Sequence, residues 1–216
     1  MEPAWRRRLA SAVWWMSVLF ACGSLCFVVA SIPGFVELVG SLADAVVYFV
    51  GSILFTSAAT IQWLQSGGLT FPLKQLGWWS ATVQLVGTLY FNATTFRALQ
   101  TGLDSNEYDR LVWTPDALGS ICFLVASYLA CVEISGPTAR PLRTRDSVIA
   151  TVNLVGSVFF GIAAVASFVV PSTGSTVDLA AANLFTALGG VCFFVGAVLL
   201  RPASSHEDDA PLSTSA

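Results

Sequence analysis

Long stretches without a single charge dominate this chain, and they predict its elements. Between consecutive charged residues lie windows of 28 residues (Leu9 to Val36), 29 (Ala45 to Leu73), 22 (Gln75 to Phe96), 16 (Ala117 to Val132), 31 (Ser147 to Val177) and 22 (Leu179 to Leu200). A helix crossing ~30 Å of hydrocarbon needs about 20 apolar residues, so five windows qualify outright. The shortest qualifies when Asp116 and Glu133 sit at its two ends near the headgroups. The pattern predicts an all-α polytopic membrane protein with six transmembrane helices, over about 12–31, 43–64, 77–97, 114–134, 147–170 and 178–200. A cytoplasmic segment over 1–11 and a disordered acidic tail over 201–216 are expected to flank them.

Inside the windows a second pattern recurs: glycine, phenylalanine four residues on, and small residues seven and eight on. It reads Gly23/Phe27/Ala30/Ser31, Gly51/Phe55/Ala58/Ala59, Gly87/Phe91/Thr94/Thr95, Gly119/Phe123/Ala126/Ser127, Gly156/Phe160/Ala163/Ala164 and Gly189/Phe193/Gly196/Ala197. Random placement of 17 Gly and 15 Phe would give roughly one Gly-x-x-x-Phe pair, whereas eight occur, with at least one in every window. These offsets fall on one stripe of a helix, where glycine lets two backbones approach and phenylalanine fills the space beside the notch. Successive glycines lie 28, 36, 32, 37 and 33 residues apart. The shorter gaps pair the spans into three tandem helical hairpins, whose halves read as inverted-topology repeats. A structural packing seam is the first expectation for the stripe, and a pathway or lipid site is the alternative.

Charge sets the orientation. Arg6, Arg7, Arg8, Lys74, Arg140, Arg143, Arg145 and Arg201 fall on one side of the numbered spans, and Arg97 and Arg110 on the other. The positive-inside rule then places both termini in the cytoplasm, with the bilayer as the protein's first partner. The apolar run from Ala10 to Ile32 exceeds a signal-peptide core, so a span is preferred there to a cleaved leader. Trp14, Trp15, Trp63, Trp78, Trp79 and Trp113 stand near span ends, as interfacial anchors do.

Composition narrows the chemistry. The single histidine, His206, lies in the polar tail, so a histidine-ligated haem or metal site and a Ser-His-Asp triad have no residue to build on within the spans. The five cysteines lie in apolar windows without a CxxC pair and read as small buried hydrophobes. A net charge of −3 argues against nucleic acid as a partner. No cofactor is expected.

Ser41 with Asp44, Thr114-Pro115-Asp116, Asp146 and Asp178 stand at predicted span starts and read first as helix caps or first-turn acids. A proton relay is the alternative at Asp116, while Glu133 reads as a headgroup-level residue. The candidate polar site residues are Gln84, Asp116, Asn153 and Thr186, each three residues before its span's glycine and on the same stripe. Gln84 and Asn153 fall nearer the cytoplasmic side and Asp116 nearer the outer face, so no single midplane site is expected. Interhelical hydrogen bonding is the simpler role for them. The segment from Ala98 to Leu111 is expected as a solvated external loop, and Pro33 to Leu42 as chain along the outer surface.

The Gly-Ser-x-x-Phe cores at Gly23, Gly51, Gly119 and Gly156, with the closing Gly189-Gly190-Val191-Cys192-Phe193-Phe194-Val195-Gly196 and Arg201-Pro202, resemble the YrhK-like family of small membrane proteins. The last two spans resemble the family's domain most closely, with Asn153-Leu154-Val155-Gly156-Ser157 at its head, and the whole chain resembles longer actinobacterial members. The third and sixth cores depart from it with Gly87-Thr88 and Gly189-Gly190, so small size is the shared requirement at the second position. The resemblance implies an integral plasma-membrane protein and brings no catalytic residues.

A non-catalytic structural or partner-binding bundle is therefore the first functional expectation, with a second copy or another membrane protein as candidate partner. A small transporter or channel built from inverted hairpins is the second. An enzyme is not expected, because the spans hold no acid–base pair at a common depth.

Overall fold

The computed structural model describes residues 4–100, 104–135 and 144–200. The acidic tail, and with it His206, lies outside them, as do Arg140 and Arg143. Six long helices dominate: α1 (Ala4–Ala30), α2 (Ser41–Gln65), α3 (Leu76–Ala98), α4 (Thr114–Ser135), α5 (Arg145–Ala166) and α6 (Leu179–Leu199). Five helices are long and apolar enough to cross a membrane, over Arg7–Ala30, Ser41–Gln65, Ser105–Ile134, Arg145–Ala166 and Leu179–Leu199. The chain is a largely helical, multi-pass membrane protein. The expected sixth span, α3, is a helix of 23 residues but falls short in hydropathy. Gln84, Asn92 and Arg97, with several threonines, lower it.

The long helices close into a ring. The most extensive contacts join α1 to α2, α3 to α4 and α5 to α6, and further contacts of α2 with α3, α4 with α5 and α6 with α1 complete the circle. The residue distribution is that of a protein in lipid: Val50, Ile53, Leu89, Ile121, Val158 and Val191 face outward, while serines and threonines are buried between helices.

Glycine makes the close pairs possible. A methyl group on Gly23 would meet the Gly51 carbonyl oxygen at 3.0 Å, and one on Gly189 would meet the Gly156 carbonyl oxygen at 3.1 Å. Cβ atoms of Cys26, Cys122 and Cys192 fill the opposite side of each contact, against Gly51, Gly87 and Gly156. The cysteines are thus half-buried at the seams rather than fully enclosed, and Cys22 is exposed, correcting the expectation that all five are buried.

Several helix starts depart from expectation. Gly40, with φ 85°, precedes α2 without a side-chain cap, so Ser41 and Asp44 form no capping box. Neither does Thr114-Pro115-Asp116 begin a helix. The chain turns helical at Ser105, behind an Asp104–Glu107 capping box, passes through a π-helical turn over Asp109–Trp113 and continues into α4. There the Thr114 amide donates to the Asp109 carbonyl. Widening the turn just before Pro115 lets the helix carry a residue that has no amide hydrogen to donate. Residues 105–111, expected as loop, are thereby helical. Thr144, paired with Ser147, caps α5, and Asp178 caps α6 by accepting from the Ala181 amide at 2.9 Å.

The fifth span is shorter than predicted. After Ala166 the chain forms a small antiparallel hairpin, Val169–Val170 against Ser175–Thr176, the one departure from all-α among the described residues. Residues 33–42 hold a short helix, Phe35–Val39. Of the expected interfacial tryptophans, Trp78 is buried with its indole donating to the Gly68 carbonyl at 2.9 Å, and Trp113 donates to the Ala164 carbonyl at 2.7 Å. These two anchor protein to protein.

Candidate functional site

All six stripes turn inward, so their phenylalanines meet on the axis of the ring. Phe27, Phe91 and Phe160, from α1, α3 and α5, form one triangle with ring centroids 6.0 to 6.4 Å apart. Phe55, Phe123 and Phe193, from α2, α4 and α6, form a second with separations of 5.6 to 6.2 Å. The triangles stack, Phe27 on Phe55 at 5.8 Å, Phe91 on Phe123 at 5.1 Å and Phe160 on Phe193 at 5.5 Å. Edge-to-face contact dominates, as ring quadrupoles favour. The void left among them is about 10 Å³, no more than one water molecule requires. This waist is solid.

Cavities lie on either side of it. One, of about 330 Å³, is floored by Phe27, Phe91 and Phe160 and walled by Asp44, Tyr48, Tyr108, Trp113, Asp116 and Thr186. It opens toward the end of the bundle that carries Glu37, Asp104, Glu107, Asp109 and Asp178, with Arg97 and Arg110 as the only basic residues among those described there. At the opposite end, which carries Arg7, Arg8, Lys74 and Arg145, a cavity of about 380 Å³ is lined by Gln62, Gln84, Glu133, Asp146 and Asn153. A recess of about 90 Å³ continues from Gln62, Gln84 and Asn153 inward to Phe193.

The register explains which residue goes where. Three positions before each glycine stand Phe20, Gln84 and Asn153 on α1, α3 and α5, and Tyr48, Asp116 and Thr186 on α2, α4 and α6. The first trio lines the basic-end recess and the second the acidic-end vestibule. Because helix direction alternates, one sequence register becomes two depths. The structure therefore separates the four candidates, Gln84 with Asn153 and Asp116 with Thr186.

Their roles also differ from simple helix stitching. Hydroxyl groups make most of the interhelical bonds: Ser17 to the Ala197 carbonyl at 2.6 Å, Ser52 with Thr95 at 2.8 Å, Ser80 to the Ala126 carbonyl at 2.9 Å and Ser127 with Ser157 at 2.8 Å. The Asn92 amide adds a bond to Thr56 at 2.9 Å. Thr186 bonds back to the Ala182 carbonyl within its own helix. The Asn153 Oδ1 and Gln62 Oε1 are buried without a hydrogen-bond partner among the described residues, and Asn153 Oδ1 rests over the Gly196 backbone. Such acceptors are costly unless a ligand or water reaches them.

At the acidic end, Asp44 Oδ1 is likewise buried and unpartnered among the described residues. Asp44, Tyr48, Tyr108 and Asp116 line the same vestibule, and the Tyr48 hydroxyl bonds Ser31 at 2.8 Å. The roof is tied down by Trp113 packed on Phe168 at 4.9 Å and by the Val169 amide donating to Asp109 at 3.2 Å. Sequence reasoning assigned Asp44 to capping and passed over Tyr48 and Tyr108. The shared register could have found Tyr48, which occupies on α2 the place of Asp116 on α4.

Among the described residues no three His, Cys, Asp or Glu side chains gather into a metal-binding group. The acidic vestibule offers negative charge, hydroxyls and aromatic faces; the basic-end cavities offer amide oxygens and two carboxylates. Comparison with protein-family models, with curated proteins and with solved structures finds no match to this chain.

Proposed function

We propose that the chain crosses the plasma membrane six times as three tandem hairpins, with both termini cytoplasmic, and passes a small solute along its axis through a gate formed by the six phenylalanines. The observation that carries this reading is the axial arrangement: two polar vestibules face each other across a thin aromatic waist, while the outer wall is apolar. A bundle that needed only to pack would gain nothing from costly acceptors lining its axis. Inverted repeats around a closed midplane also accompany alternating access in secondary transporters. The sixth crossing is α3, whose Gln84, Asn92 and Arg97 lower its hydropathy without shortening it. Membership of the YrhK-like family is part of the proposal and rests on the repeated Gly-Ser-x-x-Phe cores.

A second reading is a static structural or partner-binding bundle, favoured by the solidity of the waist. Tracer uptake into proteoliposomes, over a panel of small cations, anions and neutral solutes, separates the two. Uptake above empty vesicles for at least one solute, increased by Phe123→Ala, is expected. No uptake by either protein, with both correctly folded, overturns the transport reading and leaves the static one.

A further inference from the structure

We propose that the acidic-end vestibule binds a small organic cation, an ammonium or guanidinium group on a compact apolar body. The inference rests on the transport reading and deepens it by naming the substrate class. Asp44 and Asp116 both line the vestibule, and among the described residues no lysine, arginine or histidine does. Neither acid makes a capping hydrogen bond. Asp44 caps nothing, and its Oδ1 is buried without a partner among the described residues. Asp116 lines the vestibule past the π turn, half-buried, and makes no hydrogen bond or ion pair with any described residue. The two guanidinium groups at this end, Arg97 and Arg110, are exposed and do not reach the vestibule.

Half-buried carboxylates without protein partners carry a desolvation cost, and a bound cation would offset it directly. The rest of the lining selects the kind of cation. Phe27, Phe91 and Phe160 form an aromatic floor, and such faces attract a soft, weakly hydrated cation. A bare metal ion fits poorly, because two carboxylates fall short of a metal-binding group and a space of about 330 Å³ suits a molecule rather than an ion. The acids rimming the same end would raise the local concentration of any cation.

The test is equilibrium binding of radiolabelled tetraethylammonium to the full chain in phosphatidylcholine nanodiscs, with phenethylammonium and its neutral analogue 2-phenylethanol as competitors. Saturable binding is expected, displaced by phenethylammonium and not by 2-phenylethanol. Asp44→Asn and Asp116→Asn should each weaken it about tenfold or more, while Glu37→Gln, exposed at the same end and outside the lining, leaves it unchanged. A measurement on the native chain covers variants that fail to fold: saturating tetraethylammonium should slow carbodiimide modification of Asp116, read by mass spectrometry. Absent saturable binding, binding that survives both substitutions, equal displacement by the alcohol, or an unprotected Asp116 would each overturn the site. Binding without solute uptake would overturn the transport reading and leave the site standing; uptake without cation binding would do the reverse.

Discussion

A methyl group placed on either Gly87 or Gly119 would come within 3.2 Å of the other's carbonyl oxygen. This reciprocal contact, repeated between Gly23 and Gly51, lets the paired helices approach closely enough for their phenylalanines to reach the axis. Gly119→Leu should therefore cost about 3 kcal/mol or more, since backbone cannot give way as a flexible side chain does. Gly161, on α5, has nothing within 4 Å of an added methyl. There Gly161→Ala should change stability by no more than about 1 kcal/mol and in the favourable direction. Thermal unfolding in detergent compares the two, and equal losses would remove the glycine contacts from the account.

Phe123 is 2 % exposed and touches rings of four other helices. Phe123→Ala should destabilise by about 3 kcal/mol through lost contacts and the cavity left behind. Phe123→Leu, which keeps most of the volume, should lose less than half as much, as denaturant titration of both variants would reveal.

The Ser127 and Ser157 hydroxyls meet at 2.8 Å between α4 and α5, and Ser157 also reaches the Phe123 carbonyl at 3.2 Å. A double-mutant cycle with Ser127→Ala and Ser157→Ala should give a coupling of about 0.6 kcal/mol and no more than about 1.7 kcal/mol. Additive losses would mean that the hydroxyls act separately.

Two acids that looked alike in sequence should behave differently. Asp178 caps α6, so Asp178→Ala should cost about 1 kcal/mol. Asp116 lies in a continuous helix and faces the vestibule, so Asp116→Asn should leave thermal stability unchanged or raise it. A marked loss on Asp116→Asn would restore a structural role to that carboxylate.

The contrast between those acids marks how far sequence reasoning reached. The charge-free windows overlap all six long helices, although helix begins at Ala4 rather than about 12 and at Ser105 rather than 114, because charge is scarce over the body of each helix and that signal is long. The Gly-x-x-x-Phe register marked the inward stripe of every helix, since close packing demands the same small residue wherever two backbones meet. Convergence of all six stripes within a single chain was not legible, because one stripe looks the same whether it faces a neighbour in the chain or a second copy. The capping pattern misled at Asp116 for a local reason, whereas Asp44 does stand in the first turn of α2. Thr-Pro-Asp resembles a helix start, but a π turn over Asp109–Trp113 lets the helix run on through Pro115. The register rule picked out Gln84, Asp116, Asn153 and Thr186 and missed Tyr48, whose ring hides its hydroxyl from a search for polar side chains.

The transport reading requires two vestibules that open to opposite faces of the membrane and are closed from each other by the phenylalanine waist. It is tested most directly by replacing the five native cysteines and introducing single cysteines at Thr186, Asn153 and Phe123. A membrane-impermeant thiol reagent is then applied from each side of sealed vesicles. The predicted result is labelling of Thr186→Cys from one face only, of Asn153→Cys from the other face only, and of Phe123→Cys from neither. Labelling of Thr186→Cys and Asn153→Cys from the same face would contradict it.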